Sequence, residues 1–346
     1  MSKARTPLLS VRDLAISFRT HRGTLRVVDG VSFDLAAGEC LAIVGESGSG
    51  KTVSAMALIS LLSRKQAIIE GSVMFKGREL VGLSEEALRP IRGGGIGVIF
   101  QEPLSALNPV TTIGEQIAEV IVAHRKLSWK EAHKLAIGYL EQVEISQPDQ
   151  RAKQYPHQLS GGMRQRAMIA MALSGEPSMI IADEPTTALD VTIQAQVLDL
   201  LRRTTTERGA ALLLITHDLG VVAETADRIA VKYAGQIVET GKAASVLREP
   251  ASPYTRDLVT SVPTFAARGK KLNTISGTVP SPDAFPSGCR FAPRCRYAIT
   301  ACTTAVPPLE SLKDGRLVRC IRTKEVLDGT AAGKRKTPTT KKGAAR

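Results

Sequence analysis

The chain has 346 residues, 43% hydrophobic and 23% charged, which is ordinary for a globular protein and too apolar for a mainly disordered one. Its formal net charge is +13, but residues 1–250 hold 28 basic and 27 acidic side chains, so this large part is not expected to clamp nucleic acid. Aromatic residues make up only 4%, which argues against a protein that stacks sugars or bases on a row of rings.

Strand patterns dominate the start of the chain and return at intervals. Alternating and apolar stretches run through residues 8–44, and the last of them leads into a glycine-rich loop followed by an apolar helical stretch. Continuous apolar runs, typical of strands covered on both faces, occur at residues 41–44, 96–100, 179–182 and 211–215. Residues 111–144 have a helical pattern, and residues 230–241 predict a closing hairpin. This order predicts an α/β domain with a parallel sheet and a helical insert.

The glycine-rich loop fits the pattern G-x-x-x-x-G-K-[ST] at every fixed position. Its residues are Gly45, Glu46, Ser47, Gly48, Ser49, Gly50, Lys51 and Thr52. Glycines let successive backbone N–H groups curl around phosphate oxygens, and the helix that follows directs its positive end at the same anion. Lys51 can reach the β- and γ-phosphates, and the Thr52 hydroxyl can bind Mg²⁺. The loop therefore predicts a nucleoside-triphosphate site.

Two carboxylates end the apolar run at residues 179–182. Asp183 is placed to hold Mg²⁺, usually through water, and Glu184 directly follows it. A second carboxylate beside a metal ligand can orient and deprotonate an attacking water. The pair predicts hydrolysis of the bound triphosphate.

Between the loop and these acids lies the sequence LSGGMRQR, residues 159–166, and His217 follows in ITHD. With the phosphate loop and the MIIADE strand, these motifs resemble the ATP-binding subunit of an ABC transporter over residues 8–250. The resemblance implies a P-loop NTPase fold with a helical subdomain at about 102–172. It also implies that Gln101 contacts Mg²⁺ and the catalytic centre, that Phe18 lies against adenine, and that His217 is catalytic.

The same resemblance assigns two further motifs to the seam between paired ATPase subunits. Asp190 belongs to the D-loop in TALD, residues 187–190. The signature residues, which would contact ATP held by the partner's phosphate loop, are Leu159, Ser160, Gly161, Gly162 and Met163. A helix is expected to begin at Met163, so that Ser160 and the backbone N–H groups of Gly161 and Gly162 form a helix start suited to an anion.

After residue 250 the amino-acid composition changes. Nine of the eighteen prolines lie between Pro250 and Pro308, and four of the five cysteines lie between Cys289 and Cys320, which predicts a loop-rich module at 251–330. The last sixteen residues, 331–346, carry six basic groups and no acid, and they predict a disordered basic tail. That tail is interpreted as a solubility aid or as weakly attracted to an anionic membrane.

Four stretches resemble the oligopeptide/dipeptide/nickel importer branch of the family: FQEPLSALNP, LSGGMRQRAMIAMAL, SPYTRDLVTSVP and PSGCRFAPRC. The resemblance runs from about residue 8 to 325. It implies a peripheral subunit at the cytoplasmic face of the cell membrane that powers import of peptides or a related small solute. Its implied partners are two integral membrane permease subunits, a second, paralogous ABC ATPase, and an extracytoplasmic solute-binding protein, with no nucleic acid.

Four cysteines in this module pose a separate question. Cys289, Cys295, Cys302 and Cys320 contain no C-x-x-C pair, and disulfides are improbable in a cytoplasmic protein. The family resemblance implies a [4Fe–4S] cluster, while structural zinc or no metal are the alternatives. Four neighbouring arginines, Arg290, Arg294, Arg296 and Arg319, are expected to offset the cluster's negative charge or to be solvated. Cys40 is interpreted as a small core residue.

One rival function comes from another class: a soluble ABC-type ATPase that acts on nucleic acid or ribosomes through its basic C-terminus. Repair and cohesion types need a long coiled coil, and the translation-factor type carries two ATPase halves, whereas this chain has one phosphate loop and no such coil pattern. No apolar run approaches the ~18–20 residues that span a bilayer, so the expected membrane subunits must be separate chains.

Overall fold

The computed structural model describes residues 6–21, 23–187, 191–262 and 274–330. Twelve strands lie in these ranges: β1 (Leu9–Thr20), β2 (Gly23–Leu35), β3 (Cys40–Val44), β4 (Ala67–Phe75), β5 (Arg78–Glu79), β6 (Ile96–Ile99), β7 (Met179–Asp183), β8 (Ala211–Thr216), β9 (Arg228–Tyr233), β10 (Gln236–Lys242), β11 (Glu310–Ser311) and β12 (Leu317–Val318).

The described ranges also hold thirteen α-helices: α1 (Lys51–Leu58), α2 (Glu85–Leu88), α3 (Pro103–Ala106), α4 (Ile113–Arg125), α5 (Trp129–Gln142), α6 (Pro148–Ala152), α7 (Gly161–Ser174), α8 (Val191–Glu207), α9 (Leu219–Thr225), α10 (Ala243–Arg248), α11 (Pro253–Thr260), α12 (Ala301–Thr304) and α13 (Thr323–Asp328). No helix in the described part of the chain is both long and apolar enough to span a membrane.

An eight-stranded sheet forms the centre of the fold, in the order β11-β12-β10-β9-β3-β8-β7-β6. Strands β9, β3, β8, β7 and β6 are mutually parallel, and β10 closes the hairpin with β9 in the antiparallel sense. All five residues of β7 and all six of β8 are buried, as expected for parallel strands with both faces covered. The predicted α/β fold and the closing hairpin are confirmed.

A smaller antiparallel sheet, in the order β2-β1-β4-β5, covers one side of the core. The sequence pattern did not predict β4, because Glu70 and Gly71 interrupt its apolar alternation. Gly71 has a φ of 93°, and a Cβ there would lie 2.6 Å from the Arg12 carbonyl oxygen. The register between β1 and β4 breaks between Arg12 and Ala15, and the irregular backbone there approaches residue 71 too closely for a side chain, which explains the glycine that interrupts the pattern.

The predicted helical stretch at 111–144 divides into two capped helices. Thr112 and Glu115 form a reciprocal capping box at the start of α4, and Ser128 and Glu131 form another at the start of α5. Lys126, with a φ of 54°, ends α4 in the left-handed conformation. Both helices bury apolar residues together with α7, so the insert packs as a helical layer beside the sheet.

The C-terminal module joins the core rather than standing apart from it. Strand β12 pairs with β10 through Val318 and Glu239. Phe291 of the module packs with Tyr233 of β9 and Tyr254 of α11 in one aromatic cluster, with ring centroids 4.6 to 5.3 Å apart. The predicted tail at 331–346 lies outside the described residues.

Candidate nucleotide-binding site

Strand order brings the predicted motifs together. The four neighbouring parallel strands β3, β8, β7 and β6 all end at one edge of the sheet. The phosphate loop follows β3, His217 follows β8, Glu184 follows β7, and Gln101 lies two residues beyond β6. Ligands of open α/β sheets bind at this carboxyl edge, so four distant segments converge there.

A cavity of about 510 Å³ opens at this edge. Its lining residues are Ser47, Gly48, Ser49, Gly50, Lys51, Thr52, Val53, Gln101, Glu184 and His217. Phe18 lies on β1, half-buried, and does not line the cavity, nor does Glu46. Asp190 lies outside the described residues.

The backbone of the phosphate loop depends on glycine at its ends. Gly50 has a φ of 83° where α1 begins, a conformation that most other residues avoid. At Gly45, a Cβ would lie 2.1 Å from the Lys232 carbonyl oxygen, so no side chain fits. The predicted strand–loop–helix arrangement is therefore present, with the loop wedged against β9.

The Lys51 ammonium lies under the curl of the loop. Its Nζ donates to the carbonyl oxygens of Gly45, at 2.8 Å, and Glu46, at 3.3 Å, and lies 3.7 Å from Glu184 Oε1. The side chain is 5% exposed, and burial lowers the pKa of Lys51, against the raising effect of Glu184 and Asp183. A charge held at this point can pair with the phosphates of a bound nucleotide.

Thr52 and Asp183 meet as the paired oxygen ligands that Mg²⁺ prefers. The Thr52 hydroxyl donates to Asp183 Oδ1 at 3.2 Å. Burial and then the neighbouring Glu184 charge raise the pKa of Asp183, while the Thr52 hydrogen bond and Lys51 lower it. Among the described residues no three His, Cys, Asp or Glu side chains are grouped to hold a metal ion. The pair suits Mg²⁺ all the same, because this cation commonly takes one or two protein oxygens and completes its shell with water and phosphate.

Glu184 is the best-connected side chain of the cavity. Its Oε2 accepts from Gln101 Nε2 at 3.2 Å and from the Thr187 hydroxyl at 3.1 Å, and it lies 3.3 Å from His217 Nδ1. Its φ of 46° is left-handed, which is uncommon for a residue other than glycine and concentrates at functional sites. The carboxylate is thus aimed at the cavity by contacts from three separate segments.

The signature segment forms a helix start away from this cavity. Helix α7 begins at Gly161, two residues earlier than the predicted start at Met163, and the Ser160 hydroxyl accepts from the Met163 N–H at 3.3 Å. Leu159 is buried and anchors the segment, whereas Ser160 and Gly161 are exposed. No residue of the segment lines the cavity, so within one chain the signature and the phosphate loop remain separate.

The sequence analysis missed a buried lysine that lies beneath the phosphate loop. Lys232 of β9 is 1% exposed, and its Nζ donates to the Gly50 carbonyl oxygen at 2.7 Å and to the Ser54 hydroxyl. Burial, followed by repulsion from Lys51, lowers the pKa of Lys232 to about 7. The signal in the sequence was a lone lysine inside an otherwise apolar strand, RIAVKY.

Replacing this lysine is expected to stabilise the fold in a pH-dependent way. The unfolded chain keeps the proton of Lys232 up to about pH 10.5, so between pH 7 and 10.5 unfolding takes up a proton and wild-type stability rises with pH. Lys232→Met should raise the free energy of unfolding by on the order of 3 kcal/mol below pH 7, and by less at pH 9. The Gly50 carbonyl keeps the Ser54 N–H as a partner, at 3.1 Å. Urea unfolding at pH 6.5 and pH 9 measures the effect.

Lys65→Met, at an exposed lysine, is the matched control and should show no such pH dependence. An equal gain for Lys232→Met at both pH values, or a loss of stability, would contradict a buried ammonium.

Four thiols gather in the C-terminal module. One small cavity, of about 30 Å³, is lined by Cys289, Cys295, Cys302 and Cys320. Two of the sulfurs accept backbone N–H groups at 3.3 Å: Cys295 Sγ from Tyr297, and Cys320 Sγ from Arg322. Burial raises the pKa of Cys295 to about 12 and that of Cys320 to about 11. Cys40 packs instead against the helical core, as interpreted from the sequence.

The arginines near these thiols do not act as one group, contrary to expectation. Arg294 pairs with Glu46, Arg290 with Asp29 and Arg296 with Asp257, so none of these three is simply solvated. Arg319 lines the thiol cavity and donates to the carbonyl oxygens of Ile237 and Pro307. These three arginines of the module therefore direct their positive charge at carboxylates.

Comparison with known proteins matches two family models. Residues 28–187 match the model described as ABC transporter, and residues 238–302 match the model described as oligopeptide/dipeptide transporter, C-terminal region.

Curated relatives cover nearly the whole chain. A putative peptide import ATP-binding protein of Brucella melitensis is 49% identical over 93% of this chain and 99% of its own length. The oligopeptide transport ATP-binding protein AppD of Bacillus subtilis is 49% identical over 90% of this chain and 96% of its own length.

Solved structures share the core. The dimeric ATP-binding cassette MJ0796, bound to ADP and phosphate in a post-hydrolysis state, is 29% identical and covers 68% of this chain and 98% of its own, with a TM-score of 0.61. CbiO1 from Clostridium perfringens, part of the ABC transporter complex cbiONQ, is 26% identical. The match covers 70% of this chain and 91% of CbiO1, with a TM-score of 0.60.

Proposed function

The chain belongs to the ABC transporter family and is an ATPase of that family, and we propose that its hydrolysis of ATP powers the import of peptides or a related small solute. One observation carries the proposal. The same chain unites a complete phosphate-loop cavity with a C-terminal region that matches the oligopeptide/dipeptide model, and peptide-import proteins are its relatives over more than nine-tenths of its length.

ATP binding is assigned to the phosphate loop and the residues around it. The loop N–H groups and the start of α1 cradle the phosphates, and Lys51 exchanges the Gly45 and Glu46 carbonyls for phosphate oxygens. Thr52, Asp183 and Gln101 would hold Mg²⁺, which would supply positive charge to the bound triphosphate. Phe18, half-buried on β1, is assigned to the adenine ring.

Hydrolysis is assigned to Glu184. Its carboxylate takes a proton from the attacking water while the water oxygen bonds to the γ-phosphorus and the bond to the ADP oxygen breaks. His217 and Gln101 hold the carboxylate in place through the contacts described above. His217 also reaches the cavity wall, where it can contact the γ-phosphate.

Closure requires a second ATPase subunit. The exposed start of α7, Ser160 to Met163, has no phosphate loop of its own to contact, so it is assigned to the ATP of a partner, together with Asp190. ATP then joins the two subunits, and its hydrolysis releases them. The partner is proposed to be a paralogue.

The membrane partners are proposed to dock beside Gln101. Leu104 and Val110, which follow this glutamine, are 58% and 80% exposed. We assign these two side chains to contact with a helix of a permease subunit, because they are exposed, apolar and close in the chain to Gln101. The full importer would contain two such subunits and an extracytoplasmic binding protein, with this chain peripheral at the cytoplasmic face.

Reconstitution tests the function directly. The chain, its proposed paralogue, two permease subunits and the binding protein are placed in vesicles, and uptake of a labelled peptide library is measured with ATP. Uptake that requires ATP and disappears with Glu184→Gln in both ATPases is expected. Co-purification with nucleic acid or ribosomes instead of membrane proteins would favour the rival function, which no relative reported above supports.

Docking is tested separately. Leu104→Asp and Val110→Asp should reduce recovery of the permease subunits with this chain, whereas Leu61→Asp, at an exposed leucine outside the helical insert, should not. Equal losses for all three variants would contradict the docking site.

We further infer that the four thiols hold a [4Fe–4S] cluster. Four cysteines that line one cavity provide the ligand set of such a cluster, and the N–H groups on Cys295 and Cys320 stabilise thiolates. Arg319 supplies positive charge at the cavity wall. A cluster bound there would cross-link a loop-rich segment.

Protein purified without oxygen is expected to be brown and to contain iron and sulfide. Replacing any of the four cysteines by Ser should remove the colour, because three thiolates hold a cubane poorly. Cys40→Ser should keep it. One equivalent of zinc without iron would replace the cluster by a zinc site, and folded protein with neither metal would refute both.

A further inference from the structure

The C-terminal module grips the phosphate loop at its second residue. The Arg294 guanidinium forms a bidentate ion pair with Glu46. Nη1 donates to Oε2 at 2.8 Å, and Nη2 donates to Oε1 at 2.9 Å. The Arg294 side chain is only 6% exposed. Paired N–H···O⁻ bonds in this fork geometry are among the stronger and more directional contacts of proteins.

A second contact holds the backbone of the same residue. The Glu46 N–H donates to the Tyr254 hydroxyl at 2.9 Å. Tyr254 is fully buried in α11, where its ring packs on Tyr233 and Phe291. Both the side chain and the backbone of Glu46 are thus fixed by residues that follow position 250.

The arginine itself is anchored from several directions. Its Nε donates to the Ser276 carbonyl at 2.8 Å, and its Nη2 to the Gly277 carbonyl at 3.1 Å. Its Nη1 also lies 3.3 Å from the Tyr233 hydroxyl. Because these contacts leave the guanidinium little freedom, Glu46 meets a rigid partner.

Glu46 is in turn linked to the groups that bind phosphate. Its carbonyl accepts from Lys51 Nζ at 3.3 Å and from the Ser49 N–H at 3.2 Å. Without the contacts from Arg294 and Tyr254, the start of the loop would gain conformational freedom. ATP would then have to order the loop on binding, and the entropy lost in doing so would weaken its affinity. Neither Glu46 nor Arg294 lines the cavity, so the pair is expected to act through the geometry of the loop.

We propose that Arg294 and Tyr254 are positioning residues that hold the phosphate loop in its ATP-binding geometry, so that the C-terminal module sets the ATP affinity of the core. This inference rests on the proposed ATP binding at the loop. Cys295 follows Arg294, and Tyr254 lines the thiol cavity, so the cysteine segment and the ATP site share these two side chains.

The test measures binding of Mg²⁺–ATP to the full chain by calorimetry, beside thermal unfolding of the same samples. Arg294→Gln is expected to weaken binding about tenfold, and Arg294→Lys nearly as much, because a lysine cannot form the fork. Tyr254→Phe, which keeps the ring but removes the acceptor, should weaken binding severalfold. In the assembled ATPase, KM for ATP should rise while kcat changes less than about twofold.

Two controls separate positioning from general stability. Arg296→Gln removes another ion pair of the same segment, to the buried Asp257, without any contact to the loop. It should lower the melting temperature at least as much as Arg294→Gln and leave ATP affinity unchanged. The double variant Arg294→Gln/Glu46→Gln should bind ATP no more weakly than the weaker single variant, because the two residues act as one unit.

Wild-type affinity in Arg294→Gln, or an equal loss of affinity in Arg296→Gln, would overturn the positioning role. Lys51→Ala distinguishes a failure of the proposed ATP site from a failure of the positioning role. If the wild-type chain bound no ATP, or if Lys51→Ala bound it normally, the assignment of the ATP site would fail rather than the positioning role of Arg294 and Tyr254.

Discussion

Glu184→Gln is expected to slow ATP hydrolysis by about a thousandfold while leaving ATP binding almost unchanged. The amide keeps the size of the side chain and an oxygen that can accept from Thr187 and His217, but it cannot take a proton from water. The left-handed backbone at residue 184 keeps the same geometry, because the substitution does not alter the Cβ. With its partner, the variant should therefore accumulate as a closed, ATP-bound dimer.

The measurement uses a complex in which both ATP sites carry the equivalent change, since a wild-type partner site would mask the loss. Glu70→Gln, at an exposed carboxylate paired with Arg26, is the control and should retain wild-type turnover. Near-normal hydrolysis with both sites changed would reject Glu184 as the general base.

Lys51→Ala is expected to fail at an earlier step, with ATP affinity reduced by about a hundredfold or more. The ammonium is buried and lies between the loop carbonyls and Glu184, so its removal takes away the positive charge nearest the phosphates. Equilibrium binding of Mg²⁺–ATP to the isolated chain measures the loss, and no closed dimer should form.

Ser160→Arg provides the contrast. This exposed residue lies outside the cavity, so the isolated chain should bind ATP within about threefold of wild type. The bulk and charge of arginine should nevertheless prevent closure with the partner. If Ser160→Arg weakened binding to the isolated chain as much as Lys51→Ala does, the signature segment would not act across the subunit seam.

The local character of the site could be predicted from sequence because its chemistry depends on short motifs. A glycine-rich loop followed by lysine and threonine indicates phosphate binding. Its backbone N–H groups and ammonium contact phosphate oxygens, and its hydroxyl binds Mg²⁺. The buried strands β3, β7 and β8 could also be predicted, because parallel strands covered on both faces have continuous apolar sequences. The start of α7 was predicted within two residues because Ser160 is a strong N-cap.

Contacts between distant segments could not be predicted in the same way. The strand order β3-β8-β7-β6 decides that Gln101, Glu184 and His217 meet at one edge, and no local pattern encodes that order. The interrupted strand β4 was missed because its bulge breaks the alternation on which strand prediction depends.

The sequence by itself determined the α/β fold, because buried strands alternate with helical patterns, and its motifs in a fixed order carried the resemblance to the ABC transporter family and the residues proposed to bind and hydrolyse ATP. Only the tertiary structure decided that Lys232 lies under Gly50 and that Arg294 and Tyr254 hold Glu46. From motif order alone, the nucleotide site ends at His217. In the folded chain side chains that follow residue 250 contact the phosphate loop, because burial brings a guanidinium and a carboxylate 248 positions apart in the chain into one ion pair.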